Sequence, residues 1–150
     1  MRVVIQRVNN ANVIVDNNEV ASIKKGLLVF VGIVLNDSID DINWISNKIV
    51  NLRIFDDENG VMNNSLKDIS GEILVVSQFS LMAMTKKGNR PSYIKAANSK
   101  IAIPLYENFK KIIKKNLGNK VESGVFGADM EINLSNNGPM TIIIDSKNRE

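Results

Sequence analysis

Apolar residues in the first 35 positions come in short β-branched runs separated by asparagine, aspartate and glycine. Such runs suit a pleated, half-buried surface, so residues 1–8, 11–15 and 19–23 predict three strands. Asn9-Asn10 and Asp16-Asn17-Asn18 fall between them as turns. Residues 27–35, after Gly26, are almost continuously apolar, the pattern of a strand covered on both faces. The period then changes. Ile42, Ile45, Ile49 and Leu52 recur at helical spacing, and Ser38 with Asp41 three residues later makes a cap-like start.

Beyond this helix, Arg53-Ile54-Phe55 reads as a short extended piece, Glu58-Asn59-Gly60 as a turn and residues 72–77 as another strand. Residues 82–93 hold Gly88 and Pro91 among charges and predict a loop. A second helix carries Leu105, Phe109 and Ile112 or Ile113 on one face and ends at Gly118. Pro104 fits best in its first turn, where a missing amide proton does no harm. Residues 120–123, 130–134 and 141–144 complete a set of about eight strands. Gly138-Pro139 lies between the last two, either as a plain bend or as a working part. Strands arrive in runs and not in βαβ alternation. The expected fold is therefore α+β: one compact domain over residues 1–150, with mostly antiparallel strands in sheets or a partial barrel and two main helices.

Two absences narrow the chemistry. The chain has no cysteine and no histidine. Thiolate nucleophiles, disulfides, cysteine-bound zinc and a Ser-His-Asp arrangement are therefore excluded. No metal-ligand spacing and no phosphate-cradling glycine loop occurs, so neither metal nor cofactor is expected. No apolar run is long enough to span a bilayer and no signal-like segment opens the chain, which predicts a cytoplasmic protein with no membrane partner. The net charge of +3 is unevenly spread: residues 84–120 carry ten Lys/Arg against the single acid Glu107. That segment is either a solvated basic face or a surface for a polyanion.

Three places could carry chemistry. Ser77-Gln78-Phe79-Ser80-Leu81 ends the 72–77 strand and opens into the basic loop. It offers hydroxyls, a carboxamide and backbone amides, or else is a polar strand exit with Phe79 in the core. In Gly124-Val125-Phe126-Gly127-Ala128-Asp129-Met130 the glycines permit close backbone approach. Phe126 and Met130 there are either core residues or apolar surface for a ring. Lys86, Lys87 and Arg90 are loop cations suited to phosphate or simply to solubility.

In their order and spacing these segments resemble the D-aminoacyl-tRNA deacylases of the bacterial and eukaryotic type along nearly the whole chain. The resemblance rests on the stretches at residues 1–8, 26–32, 53–55, 60–63, 76–81, 90–93, 126–130 and 137–141. It implies a homodimeric hydrolase that cleaves the ester between a D-amino acid and the 3′-terminal adenosine of tRNA, with each active site at the subunit interface. Ser77, Gln78, Phe79 and Ser80 match the family's strand-end motif. Gly138-Pro139 matches its glycine–cis-proline motif, which reaches into the partner's pocket to select chirality, and Arg7 matches the arginine that supports it. Phe126, Gly127, Ala128 and Met130 fall in the adenosine-lining segment. Lys86, Lys87 and Arg90 are then expected at tRNA phosphates. Ser80, Asn137 and Met140 stand where many members have threonine, aspartate and valine.

With no histidine as base, hydrolysis assisted by the vicinal ribose hydroxyl, with backbone amides near Phe79 and Ser80 as the oxyanion site, is preferred over Ser80 as a covalent nucleophile. Glycyl-tRNA, lacking a side chain to exclude, is expected to be cleaved to some degree. A tRNA-binding or dimerisation module without catalysis is the alternative from another class.

Overall fold

The computed structural model describes residues 1–149. In chain order its elements are β1 (Arg2–Val15), β2 (Asn18–Ile23), β3 (Gly26–Gly32), α1 (Ile39–Asn51), β4 (Phe55–Asp56), β5 (Met62–Asn64), β6 (Glu72–Ser77), a 3₁₀ turn (Phe79–Met82), α2 (Ser99–Leu117), β7 (Val121–Ser123) and β8 (Glu131–Asp145). The class is α+β, as the runs of strands imply. Antiparallel pairs join β1 to β2, β3 and β8 and join β4 to β5, while β3–β6 and β6–β7 are parallel.

Strand β1 organises the sheet. Its first half pairs with β3 and its second half with β2, while β8 runs along its other edge for the whole length. Alternate residues of β3 and β6 face two different cores. Leu27, Val29, Ile73 and Val75 pack under α1 and α2 with Ile45, Ile49, Tyr106 and Phe109. Leu28, Leu74 and Val76 point the other way, against Val8, Ala11, Val13 and Ile23 from β1 and β2. This explains the unbroken apolar run of β3: a parallel pair buried on both faces has no solvent side.

Three predicted boundaries differ. Asn9-Asn10 is not a turn but lies within β1, because β8 supplies partners on both sides of it: Asn10 pairs with Ser135, and Asn9 Nδ2 donates to Ser135 Oγ at 3.3 Å. The two predicted C-terminal strands are likewise one, β8. There Val8 pairs with Asn136 and Gln6 with Thr141, so the single residue Arg7 faces four residues of β8, Asn137 to Met140. Gly138-Pro139 sits in this bulge on an outer strand, where a proline forfeits no ladder bond. The third difference is α2, which begins at Ser99 with Asn98 as its cap, whose Oδ1 accepts from the Ile101 amide at 3.3 Å. Pro104 is therefore inside the helix, beyond the first turn. The carbonyl it leaves without a helical donor belongs to Lys100, an exposed residue open to water. Gly118 ends the helix in the left-handed conformation, φ 71°, as expected.

The start of α1 is tied to both ends of the described chain. Asp41 accepts from the Ser38 amide at 2.8 Å and from Lys147 Nζ at 2.7 Å. The buried Met1 amino group bonds Asp37 and donates to Ser146 Oγ at 2.9 Å. Among the described residues no helix is long and apolar enough to cross a membrane.

Candidate active site

Because β3 and β6 are parallel, their carboxyl ends open on the same edge of the sheet. Val31 pairs with Ser77 there, and the Gln78 amide donates to the Val31 carbonyl at 2.8 Å before the chain tightens into the 3₁₀ turn. A cavity of about 510 Å³ lies against this edge. Its walls are the strand exit Ser77-Gln78-Phe79, the start of α2 at Asn98, Ser99 and Ala102, and the segment Phe126 to Met130. Ser77 and Phe126, almost fifty positions apart, thus share one chamber, a volume typical of small-molecule sites.

The far wall is built by close packing. The carbonyl of Val75 accepts both the Gly124 amide at 3.0 Å and the Tyr106 hydroxyl at 3.1 Å, which anchors the loop to the middle of β6. A side chain at Gly124 would meet Met130 Sδ at 2.5 Å, so the glycine makes room for Met130 to fold across it. Tyr106 in turn packs on Phe126, ring centroids 5.5 Å apart. Burial holds the Tyr106 phenol far above its ordinary pKa, with Glu107 adding to the shift, so it is a neutral pillar and not an acid or base.

At the near wall, Phe79 is 59% exposed and stands outside the core; its ring meets Tyr93 edge-to-face, centroids 4.9 Å apart. Ser80 is not part of the cavity wall. Its hydroxyl accepts from Gln78 Nε2 at 2.6 Å, and among the described residues no lysine or carboxylate side chain bonds it. A hydroxyl held in this way has no partner to take its proton. The first amides of the 3₁₀ turn, at Phe79 and Ser80, have no acceptor within the turn and are suited to bind a negative oxygen.

Gly138 and Pro139 do not line this cavity. They are exposed on β8, with Gly138 at φ 123° and the bond between them cis. What surrounds them is tightly fixed. Arg7, only 8% exposed, donates from Nε to the Asn137 carbonyl at 3.2 Å and from Nη1 to the Ile54 carbonyl at 2.6 Å, with Asp56 Oδ1 3.6 Å away. A side chain on Gly138 would lie 3.0 Å from both Arg7 Nη2 and the Met140 amide. Asn136 Nδ2 bridges the Arg7 and Met140 carbonyls at 2.9 and 3.2 Å, and Asn137 Nδ2 donates to Asn9 Oδ1 at 2.7 Å. The segment is held from below and presented outward.

Lys86, Lys87 and Arg90 lie exposed on a loop whose ends are joined by reciprocal Met84–Ser92 backbone bonds of 2.8 and 3.0 Å. No ion pair engages them among the described residues. Sequence reasoning did not single out Tyr93, Asn98, Tyr106 or Asn136. Of these, only Tyr93 carried a signal, as part of Arg90-Pro91-Ser92-Tyr93; the others act through contacts distant in sequence. No group of three or more Asp or Glu that could hold a metal occurs among the described residues.

The sequence model of the D-Tyr-tRNA(Tyr) deacylase family matches residues 4–145. A D-aminoacyl-tRNA deacylase of Flavobacterium psychrophilum is 63% identical over 150 residues, covering all of both chains, and one of Bacteroides fragilis is 59% identical over the same span. Among solved structures, a c-Myc DNA unwinding element binding protein superposes with a TM-score of 0.91 at 36% identity, over 97% of this chain and 98% of its own. A probable eukaryotic D-amino acid tRNA deacylase shares the fold, with a TM-score of 0.82 at 19% identity over 95% of this chain and 97% of its own.

Proposed function

The chain belongs to the D-Tyr-tRNA(Tyr) deacylase family, and we propose that it hydrolyses the ester between a D-amino acid and the terminal adenosine of tRNA. The observation that carries this reading is the cavity itself, which sets the strand exit Ser77-Gln78-Phe79 opposite Phe126-Gly127-Ala128 and Met130. The second wall takes the adenosine and presents the ester to the first. An ester of this kind is already activated, so the protein supplies orientation and charge stabilisation. The amides of Phe79 and Ser80 receive the developing oxyanion; one such donor is commonly worth ~100- to 1000-fold in rate. The ribose hydroxyl next to the ester orients the attacking water, replacing the base that a chain without histidine cannot provide. Ser80 as a covalent nucleophile is disfavoured by its place off the wall and its bond from Gln78.

Selection against L-substrates falls to Gly138 and Pro139, acting from a second copy of the chain. The outward presentation of this segment on an edge strand supports that role, and the Arg7 and Asn136 bonds beneath it supply rigidity. Backbone so fixed excludes an L side chain better than a side chain that can swing away. Glycyl-tRNA, having nothing to exclude, is cleaved as well. Lys86, Lys87 and Arg90, with Lys110, Lys111, Lys114 and Lys115 of α2, meet tRNA phosphates. In this reading residues 1–150 act as one domain, dimeric, in the cytoplasm, proofreading the chirality of aminoacyl-tRNA without metal or cofactor.

Release of D-tyrosine from D-tyrosyl-tRNA by the purified protein tests the activity, and no release above buffer overturns it. Terminal 2′-deoxyadenosine in the same tRNA tests the assisted mechanism, which predicts near-complete loss of rate. An undiminished rate would move the chemistry back to a protein side chain.

A further inference from the structure

We infer that Tyr93, braced by Phe79, is a stacking platform for the base preceding the terminal adenosine of the substrate; the inference rests on the reading above that the adenosine occupies the cavity. The chain has eight aromatic residues, and among the described ones only Phe79 and Tyr93 are exposed, 59% and 40%. Tyr106, Phe55 and Phe109 are fully buried, and Trp44 is covered by Arg149, whose guanidinium lies 4.4 Å from its ring. Two large rings left in water at one spot call for an occupant.

Their setting indicates which. Both rings line the cavity, and their edge-to-face contact, inclined at 76°, holds each in one orientation. A cavity of about 510 Å³ accommodates one aminoacylated nucleoside, so the rest of a single strand must leave across the rim. The loop that ends at Tyr93 carries Lys86, Lys87 and Arg90, none of them in an ion pair among the described residues. A nucleoside-sized chamber, a ring at its rim and unpaired cations beyond follow the order in which proteins grip single-stranded RNA: a base in the pocket, the next stacked, phosphates outside. The tRNA 3′ end is such a strand, cytidine-cytidine-adenosine. Stacking has no dependence on the amino acid carried, so Tyr93 contributes binding common to all charged tRNAs and leaves chirality to other groups.

Tyr93 is the residue to vary, because Phe79 also contributes a backbone amide to the proposed oxyanion site. Two esters are compared: D-tyrosine on adenosine alone and on cytidylyl-adenosine. Tyr93→Ala is expected to raise KM for the dinucleotide ester on the order of 10-fold, with kcat unchanged. Its effect on the adenosine ester should be several-fold smaller, and Tyr93→Phe should behave as the native chain on both. Equal losses on the two esters, or none on either, overturn the platform; so does a changed sedimentation coefficient, which would assign the ring to contact with a second copy. Should the native protein cleave neither ester, binding of uncharged cytidylyl-cytidylyl-adenosine decides the platform, and the deacylase reading fails only if D-tyrosyl-tRNA is also left intact. There Tyr93→Ala must weaken binding about 10-fold more than it weakens binding of adenosine.

Discussion

Arg7→Met removes the guanidinium beneath the Gly138-Pro139 segment and keeps most of the aliphatic stem, so it opens little cavity. The bond lost to the Ile54 carbonyl is short and buried, and hydrogen bonds from charged groups contribute about 1.5–3 kcal/mol each. The bond to the Asn137 carbonyl, at 3.2 Å and partly buried, belongs near the low end of that range. Asp56 is half exposed and 3.6 Å away, so its ion pair adds less than about 1 kcal/mol. The expected loss is therefore about 3–4 kcal/mol, read as a lower urea midpoint with an unchanged slope. Arg7→Lys keeps the charge but not the fork that reaches two carbonyls, and should lose about half as much. If the guanidinium also positions the segment for catalysis, D-tyrosyl-tRNA deacylation by the folded Arg7→Lys protein should fall on the order of 100-fold, the scale of a misplacement near 1 Å. The rate is measured well below the melting temperature, where unfolding cannot explain it. A variant within about 1 kcal/mol of native stability, or one folded and fully active, would refute the role given to Arg7.

Ser80→Ala should retain deacylation within about 10-fold, because the backbone amides remain; complete loss from a folded protein would restore the covalent alternative. Lys86→Glu with Lys87→Glu should weaken tRNA binding at low salt and flatten its salt dependence, measured by filter binding across a salt series. An unchanged curve would assign those lysines to solubility. Stability should also fall in acid through Asp41. Burial alone would raise this carboxyl, but bonds from Lys147, Ser146 and Ser38 outweigh it and hold the pKa well below the usual carboxylate range. The unfolded chain therefore binds the proton more readily. The contribution of Asp41 is complete above its unfolded pKa of ~4 and is lost as pH falls through the folded value. Asp41→Asn should be less stable at pH 7 and show a shallower stability loss below pH ~4; a native-like acid profile would contradict this.

The elements themselves were largely legible from local pattern. The period change after residue 38 marked α1, and the continuous run after Gly26 announced a strand buried on both faces. Errors fell where a distant partner overrides a local signal. Asn9-Asn10 and Gly138-Pro139 both read as breaks, yet each lies within a strand because β1 and β8 support one another over their full length. Pro104 reads as a first-turn residue, yet lies deeper in α2, because Asn98 caps the helix from a stretch with no apolar period to mark it. At the site, Ser77 to Ser80 and Phe126 to Met130 read as separate candidates, and only the parallel pairing of β3, β6 and β7 places Ser77 to Phe79 and Phe126 to Met130 around one chamber. The supporting roles of Tyr106 and Asn136 depend on hydrogen bonds to carbonyls far away in sequence, which no local motif announces.

The central claim is a chiral hydrolase whose selectivity resides in fixed backbone, and side-by-side hydrolysis of D-tyrosyl-tRNA and L-tyrosyl-tRNA under enzyme excess tests it most directly. The account predicts release of D-tyrosine at least about 100-fold faster than L-tyrosine, since a substrate denied its place loses far more than one methylene's worth of binding. Equal rates on the two, or no hydrolysis of either, would contradict it.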